Sequence, residues 1–305
     1  MLKESKHILF FVYLWAWLTQ PASAQWVNFL WAESRIPGLE SKEAAILFPV
    51  QLDGTKCFMQ FDSGLDGSRL YRNSLPSKYR QQLNDETITI NKFSVGKIKK
   101  NDSIFYLIYA ENDALKNGGC VLDENVTVVG SLGNDKFLTG HLSLDLPKKR
   151  FMFNKGPYQP LKEIKTTHSF NMDLIDTDKG AVPILTITDK NEMKKFLLDT
   201  GSAPADLIIY LKENWIDLVG VSLSQVKSFS VMRWNEPIQC YTAPTKRSLA
   251  IDDFEVTPGT LATYCEVPND KASSRNSIFG ILGLSLFKQN IVTIDYVARR
   301  IYIER

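Results

Sequence analysis

The chain has 305 residues, of which 44% are hydrophobic and 23% charged, a balance typical of a packed globular protein and not of a disordered one. Lys and Arg total 36 against 34 for Asp and Glu, so no basic excess indicates a nucleic-acid partner. Only three histidines occur, without metal-ligand spacing, which disfavours a zinc enzyme or a Ser-His-Asp hydrolase and leaves carboxylates as the candidate chemical groups.

The first 24 residues have the pattern of a secretory signal peptide. Lys3 and Lys6 precede an uninterrupted apolar run at residues 8–18, which is shorter than the roughly 20 residues that a membrane-spanning helix needs. Ala22-Ser23-Ala24 then supplies the small-x-small pattern of a cleavage site. We therefore expect cleavage after Ala24, export to the periplasm or the cell exterior, and no stable membrane anchor. An uncleaved anchor or a buried N-terminal helix is the alternative.

The first half of the remaining chain is rich in predicted strands. Residues 45–52 and 56–61 are apolar or β-branched runs separated by an Asp-Gly turn, and the second run leads directly into Asp62-Ser63-Gly64. Residues 87–95 and 104–109 predict a hairpin region, and residues 75–83 have a helical pattern.

The second half repeats this order of elements. A polar stretch with Gly and Pro at residues 154–160 predicts a boundary between an N-terminal lobe, 25–160, and a C-terminal lobe, 161–305. The strand pair reappears and leads into Asp199-Thr200-Gly201. In this half we predict strands at residues 182–188, 195–198, 229–232, 238–242 and 249–256, a helix at 210–219 and a helical turn at 284–289.

An internal repeat relates the two halves. Residues 128–133 (VVGSLG) align with residues 278–283 (IFGILG), and the match continues at a constant offset through 149–153 and 299–303. The two Asp-Ser/Thr-Gly sequences form a second match upstream. Two copies are too few for a solenoid, so the sequence predicts two homologous lobes.

The four cysteines all follow the predicted cleavage site. Export would place them in an oxidising compartment, where pairing is plausible. Two fall in each half, which favours Cys57–Cys120 and Cys240–Cys265 among the three possible connectivities. Free buried thiols that act as small hydrophobic side chains are the alternative.

An apolar strand that delivers Asp-Ser/Thr-Gly, followed many residues later by two apolar residues and Gly, resembles the aspartic protease superfamily. The second half resembles the C-terminal lobe of pepsin-like enzymes, and the first half resembles the single-lobe retropepsins. The resemblance covers roughly residues 45–153 and 180–303. It implies a mainly β fold of two homologous acid-protease-type β-barrel lobes, related by a pseudo-twofold axis.

The resemblance implies that Asp62 and Asp199 form a catalytic dyad. Hydrolysis of a peptide bond by water needs a base to activate the water and an acid to protonate the amide. Two carboxyls about 3 Å apart cannot both ionise, so one pKa rises, the other falls, and the pair supplies both groups. The apparent pKa values then belong to the pair.

Further residues are expected to support the dyad. The resemblance implies that the Ser63 and Thr200 hydroxyls hydrogen-bond across to the opposite loop, and that a hydroxyl such as that of Ser202 touches the outer carboxylate oxygen. Glycines would permit the tight bend after each aspartate and leave room behind it; these are Gly64, Gly201, Gly130 and Gly280.

Several positions depart from the pattern or lie outside it. Leu65 stands where the second half has Ser202, which weakens the case for catalysis without excluding it. Trp234, near the tip of a candidate hairpin at residues 231–245, is interpreted as covering bound peptide. We expect His141 in a surface loop, and a turn or ion-pair role for the repeated Asp145 and Asp295.

The sequence thus favours an exported aspartic endopeptidase that acts on a polypeptide substrate as a monomer, with no metal and no organic cofactor. The alternative is a catalytically inactive bilobal peptide-binding or scaffold protein of the same fold, for which Leu65 is the support. An exported carbohydrate-binding module would use the tryptophans but would leave the duplicated Asp sequences unexplained.

Overall fold

The chain folds as a mainly β protein of two lobes, which confirms the predicted fold class. The computed structural model describes residues 25–34, 40–82, 85–108, 120–121, 126–160, 166–202, 205–233, 236–266 and 278–305. No helix in these ranges is both long and apolar enough to cross a bilayer. The predicted signal segment and Trp234 lie outside the described residues, and both interpretations stay predictions.

The first half contains eleven described strands, joined by turns and short 3-10 helices. The strands are β1 (Val27–Asn28), β2 (Leu30–Ser34), β3 (Ser41–Leu52), β4 (Thr55–Phe61), β5 (Arg69–Tyr71), β6 (Thr87–Val95), β7 (Ile98–Ile108), β8 (Cys120–Val121), β9 (Val128–Leu132), β10 (Gly140–Asp145) and β11 (Arg150–Lys155). The 3-10 helices are Arg72–Ser74, Ser77–Gln82 and Asn134–Lys136.

The second half contains twelve described strands and one described α-helix. The strands are β12 (Thr166–Asp176), β13 (Ala181–Asp189), β14 (Glu192–Asp199), β15 (Leu207–Ile209), β16 (Ser228–Arg233), β17 (Glu236–Pro244), β18 (Leu249–Ile251), β19 (Phe254–Val256), β20 (Leu261–Cys265), β21 (Gly280–Gly283), β22 (Ile291–Asp295) and β23 (Arg300–Glu304). The helix α1 spans Lys212–Val219, and 3-10 helices span Thr200–Ser202, Leu223–Gln225 and Leu284–Phe287.

The first lobe is an eight-stranded sheet whose path β4-β9-β5-β7-β6-β3 closes on itself because β3 also pairs with β4. Phenylalanines fill one end of this barrel. The Phe48 ring stacks on Phe61 at 5.1 Å and on Phe151 of β11 at 3.8 Å, and Phe137 meets Phe61 edge-on at 5.4 Å. All four are fully buried, and each contributes about 1.5 to 3 kcal/mol by leaving water. The first barrel and β11 therefore share one core.

A central sheet joins the lobes in the strand order β1-β11-β10-β22-β23-β12. The order is symmetric about its middle, because β10 and β11 on one side are the repeat counterparts of β22 and β23 on the other. At its middle, Ser143 of β10 pairs with Thr293 of β22, and their hydroxyls hydrogen-bond at 2.8 Å. These residues are equivalent under the offset found in the sequence, so the pseudo-twofold axis passes between them. The turns repeat as well, with Lys149 at φ 53° and Arg299 at φ 54°.

The second lobe continues the same 15-stranded sheet through β13, β14, β21, β15, β20, β17 and β16. Its helix α1 buries Trp215, Leu218 and Val219, which the i, i+3, i+4 spacing places on one face. The indole N–H of Trp215 donates to the carbonyl of Ala262 at 2.8 Å, which anchors α1 to β20. Gly220 ends the helix in the left-handed conformation at φ 66°.

One of the two predicted disulfides is confirmed and the other is wrong. Cys240 and Cys265 face each other on β17 and β20 and are bonded. Cys57 is a buried free thiol, and burial raises its pKa to about 12. It lies opposite Val50 in β3, whereas Cys120 lies opposite Ser34 in β2, with β3 and β2 between their strands. Neighbouring strands are about 4.8 Å apart, so this separation exceeds the roughly 7 Å that a disulfide can span.

The expectation that His141 lies in a surface loop is also wrong. His141 belongs to β10 in the central sheet, is only 6% exposed, and pairs in register with Asp295. Its Nδ1 lies 3.0 Å from the carbonyl oxygen of Gly156. The histidine is therefore part of the packed junction between the lobes.

A buried acid lies beside this junction. Glu304 of β23 is fully buried, and the Tyr158 hydroxyl lies 2.7 and 2.9 Å from its two carboxyl oxygens. Burial raises the pKa of Glu304, although hydrogen bonds from Tyr158 and Thr293 act in the opposite direction. An acid whose pKa is raised by folding stabilises the fold below its unfolded pKa, and this contribution is lost as the pH rises through the folded pKa.

We predict that Glu304→Gln flattens the pH dependence of stability. Relative to the variant, the wild-type free energy of unfolding should decrease as the pH rises above about 4.3, the ordinary pKa of Glu, and should then level off. Denaturant unfolding of both proteins at each pH measures this, because all other titrating groups are common to the two chains. Parallel pH profiles would contradict the buried-acid interpretation.

Candidate active site

Each lobe delivers one aspartate at the end of a strand that has a parallel neighbour. In the first lobe β4 runs beside β9, with Phe61 level with Leu132, and the backbone N–H of Asp62 then donates to the Leu132 carbonyl at 3.1 Å. In the second lobe β14 runs beside β21, with Asp199 level with Gly283. The loops that carry Asp62 and Asp199 are thus built on equivalent strand pairs.

Four hydrogen bonds between the lobes lock these loops together. The Ser63 hydroxyl donates to the Leu198 carbonyl at 2.8 Å and accepts from the Thr200 N–H at 3.0 Å. The Thr200 hydroxyl donates to the Phe61 carbonyl at 3.0 Å and accepts from the Ser63 N–H at 2.9 Å. Ser63 and Thr200 are both fully buried. The structure therefore places both residues where the cross-lobe role expected of them requires.

The interlock brings the two carboxyl groups face to face. The carboxyls of Asp62 and Asp199 lie within hydrogen-bonding reach of each other. Each also accepts the N–H of the glycine two residues on, from Gly64 at 2.9 Å and from Gly201 at 2.8 Å. Residues 137 positions apart in the chain thus meet at one point.

Gly64 and Gly201 are required here by close approach. A Cβ atom on Gly64 would lie 2.8 Å from the Asp199 carboxyl carbon, and one on Gly201 would lie 2.7 Å from that of Asp62. Any other residue at either position would push the opposite carboxyl away.

The surroundings of the two carboxyls are unequal. The pKa of Asp62 is raised well above the ordinary value, first by burial of its carboxyl and then by the charge of Asp199 and a hydrogen bond to it. The Gly64 N–H and the charge of Arg69 oppose this rise. The hydroxyl of Ser202 donates at 3.0 Å to the Asp199 oxygen that does not accept the Gly201 N–H, whereas Leu65 offers no such group to Asp62. The raised pKa of Asp62 favours a proton on this pair, and the hydrogen-bond donors around the two carboxyls are unequal in number.

Gly130 and Gly280 have a more local role than expected. A Cβ on Gly130 would lie 2.1 Å from the Arg69 carbonyl oxygen, and one on Gly280 would lie 2.2 Å from that of Ile208. The glycines let β5 and β15, the strands that follow each loop, pack directly on β9 and β21. The space that these two glycines leave is occupied by the backbone of β5 and β15, beside the loops.

Asn134 also holds the site, although no sequence motif marks it as a site residue. The fully buried Asn134 donates its side-chain N–H groups to the carbonyls of Ser63 and Leu65, at 2.8 and 2.9 Å. Its amide oxygen accepts the Tyr296 hydroxyl at 2.7 Å. The repeat gave no signal for it, because Leu284 occupies the equivalent position in the second half.

The described residues contain no group of three or more His, Cys, Asp or Glu side chains arranged to hold a metal ion. The chemistry available at the two loops is that of a carboxyl pair with backbone N–H and hydroxyl donors around it. Such a pair can accept a proton on one oxygen while donating one from another.

No model of a known protein family matches the sequence, and no curated protein matches it. Among solved structures, the chain is similar to the aspartic proteinase from Irpex lacteus. The likeness covers 92% of this chain and 97% of that one, with 11% identity and a TM-score of 0.44.

We predict that Thr200→Val destabilises the protein more than Thr200→Ser does. Valine keeps the volume but leaves the Ser63 N–H and the Phe61 carbonyl unpaired in a buried site, which should cost about 2 to 4 kcal/mol. Serine keeps the hydroxyl and loses one methyl group, at about 1 kcal/mol. Urea unfolding of the three proteins measures the difference. Equal losses in the two variants would show that the hydroxyl does not hold the loops.

Proposed function

We propose that the protein is an exported aspartic endopeptidase, which hydrolyses peptide bonds with a water molecule activated by Asp62 and Asp199. The observation that carries the proposal is the meeting of these two carboxyls, each delivered by an equivalent strand of a different lobe. A pair of acids forced to share one proton supplies a base and an acid within reach of the same bond.

The proposed reaction uses only the pair and water. The carboxylate accepts a proton from water while the water oxygen attacks the peptide carbonyl carbon. The carboxylic acid donates its proton to the carbonyl oxygen, which gives a neutral tetrahedral intermediate. The newly protonated carboxyl then donates its proton to the amide nitrogen, while the other carboxylate takes a proton from a hydroxyl of the intermediate; the carbon–nitrogen bond breaks, and the pair returns to its singly protonated state.

The proposed monomeric state, export and substrate rest on further features of the chain. Both acids come from one polypeptide, so a monomer can build the site. The Cys240–Cys265 disulfide is of the kind found in oxidising compartments, which supports export together with the signal-like segment at residues 1–24. The substrate would be a polypeptide, and Trp234 is proposed to cover it, at the connection between β16 and β17.

A second candidate function rests on Leu65. A bilobal peptide-binding or scaffold protein without catalytic turnover would need no hydroxyl beside Asp62, where the chain has Leu65. Both aspartates persist, however, in a place where two like charges are costly unless a proton is shared. The paired acids favour the enzyme.

We predict that Asp62→Asn and Asp199→Asn each reduce kcat/KM by at least about a hundredfold, because either change removes the acid or the base. Digestion of denatured casein and of a peptide library across a pH series measures this. Asp173→Asn is a matched control, since Asp173 is an exposed aspartate on β12. Full activity in either dyad variant would overturn the mechanism. A wild-type protein that binds peptides but cleaves none at any pH would favour the inactive alternative.

A further inference from the structure

The strand pairing of the first lobe shows which side chains share a face with Asp62. Gln60, two residues before Asp62, lies opposite Ser131 of β9, and Ser131 lies opposite Arg69 of β5. Arg69 in turn lies opposite Tyr106 of β7. Residues that pair across strands point to the same face of a sheet, and so do residues two apart along a strand. We call the row of Gln60, Ser131, Arg69 and Tyr106 the first wall.

The second lobe has an equivalent row beside its own aspartate. Leu197, two residues before Asp199, lies opposite Ile281 of β21, and Ile281 lies opposite Ile208 of β15. The offset of the repeat makes Ile281 the counterpart of the serine in the first wall, so Ile208 is the counterpart of Arg69. We call the row of Leu197, Ile281 and Ile208 the second wall.

The second wall is apolar although it faces away from the lobe core. Its residues alternate along their strands with Leu198, Leu207 and Leu282, which are fully buried in the core. The three residues of the second wall themselves belong to none of the hydrophobic clusters of the described residues. An apolar surface that the core does not use, next to the paired acids, is suited to an apolar side chain of a ligand.

The first wall is polar and carries a cation at the position of Ile208. The side chain of Arg69 is 33% exposed, while its neighbour Leu70 is fully buried in the core. The pKa of Asp62 is raised by burial and by the charge of Asp199, and the charge of Arg69 opposes this rise. The guanidinium therefore lies within electrostatic reach of the paired acids.

A second cation lies over the first wall. Lys179, in the turn between β12 and β13, holds its ammonium nitrogen 4.6 Å from the centre of the Tyr106 ring. The acid on this side is Asp66, 3.7 Å from the Arg69 guanidinium, whose two carboxyl oxygens already accept the Gly67 N–H and the Thr177 hydroxyl. Two cations against this one carboxylate leave a positive charge, which attracts an acidic side chain and repels a basic one.

We propose that the site takes a polypeptide with an acidic side chain on one side of the reacting bond and an apolar side chain on the other, the acidic one against Arg69 and the apolar one against Ile208. This inference rests on the proposed function and deepens it, since the paired acids alone set no side-chain preference. The substrate carboxylate would accept hydrogen bonds from the guanidinium, and the apolar side chain would cover Leu197 and Ile281.

We predict that, at one position near the cut, kcat/KM is about tenfold or more higher for Glu than for Gln, because hydrogen bonds between charged groups are strong. On the other side of the bond, Leu should exceed Ser by a similar factor. Digestion of a peptide library, with the cut sites identified by mass spectrometry, locates both positions. Peptides of one sequence with Glu, Gln or Lys at the first position then give the ratios, at about pH 6, where Glu is ionised.

Substitutions in the two walls should create new preferences. Arg69→Glu should change the preference from Glu to Lys, and Arg69→Lys should retain it. Ile208→Lys should replace the apolar preference on the other side with an acidic one. Because each readout is a ratio between peptides, a general loss of activity cannot produce these results. Lys99→Glu is a matched control, since Lys99 is exposed on β7, seven residues from Tyr106, and both preferences should persist in it.

The outcomes distinguish this inference from the proposed function. Cleavage without an acidic preference, or with preferences that Arg69→Glu or Ile208→Lys leaves unchanged, overturns the inference and leaves the peptidase intact. If either variant does not fold, Arg69→Gln and Ile208→Thr replace them and should each lose the corresponding preference, whereas retention overturns the inference.

A protein that cleaves nothing can still be tested by binding. Fluorescence anisotropy at about pH 6 then compares labelled peptides that carry Glu, Gln or Lys beside an apolar residue. Tighter binding of the Glu peptide by about tenfold, lost in Arg69→Glu, supports the two walls and contradicts the peptidase. Equal binding of the three peptides, or no binding, overturns both.

Discussion

The site depends on the reciprocal hydrogen bonding of Ser63 and Thr200. Each hydroxyl ties its own loop to the strand end of the opposite lobe, and four bonds at about 1 kcal/mol each give roughly 4 kcal/mol. Two unit charges about 4 Å apart repel by about 4 kcal/mol at an effective dielectric constant of about 20, so two ionised carboxyls would offset the whole interlock. A shared proton removes that repulsion. The hydrogen bonds between the loops therefore hold the two carboxyls together at low cost only when the pair keeps a proton, and the raised pKa of Asp62 has that direction.

The central sheet fixes how the two lobes, and with them the two aspartate loops, are placed relative to each other. Ser143 and Thr293 meet on the pseudo-twofold axis, so β10 and β11 of one half correspond to β22 and β23 of the other. The strands that deliver Asp62 and Asp199 are equivalent in the same sense, each with a parallel neighbour that ends in an apolar-Gly sequence. Symmetry brings two like acids together, and nothing in a perfectly symmetric site would distinguish them.

Much of the fold and of the candidate site could be predicted, because the sequence encodes it in local patterns or in both copies of the repeat. The strands that lead into both aspartates appear as short apolar runs ending in turn residues, and the repeat shows that the two loops are equivalent. Cys240 and Cys265 are near in sequence and face each other on adjacent strands. Cys57 and Cys120 looked like an equivalent pair, but their strands are separated by two others, a fact of barrel topology that spacing does not encode. The prediction for His141 was wrong for a similar reason, because β10 is buried by its pairing with β22, which lies about 150 residues further along the chain.

The residues that the repeat does not duplicate are the ones that make the two loops different. Asn134 holds the loop of Asp62 through the Ser63 and Leu65 carbonyls, and Tyr296, from the second half, holds Asn134. This support acts on the backbone and adds no donor to the carboxyl. In the second lobe the added contact is the Ser202 hydroxyl, which acts on the carboxyl directly. The loop of Asp62 is thus held through its backbone, and the loop of Asp199 has an added hydrogen bond to its carboxyl. Divergence at these positions gives two equivalent aspartates different surroundings.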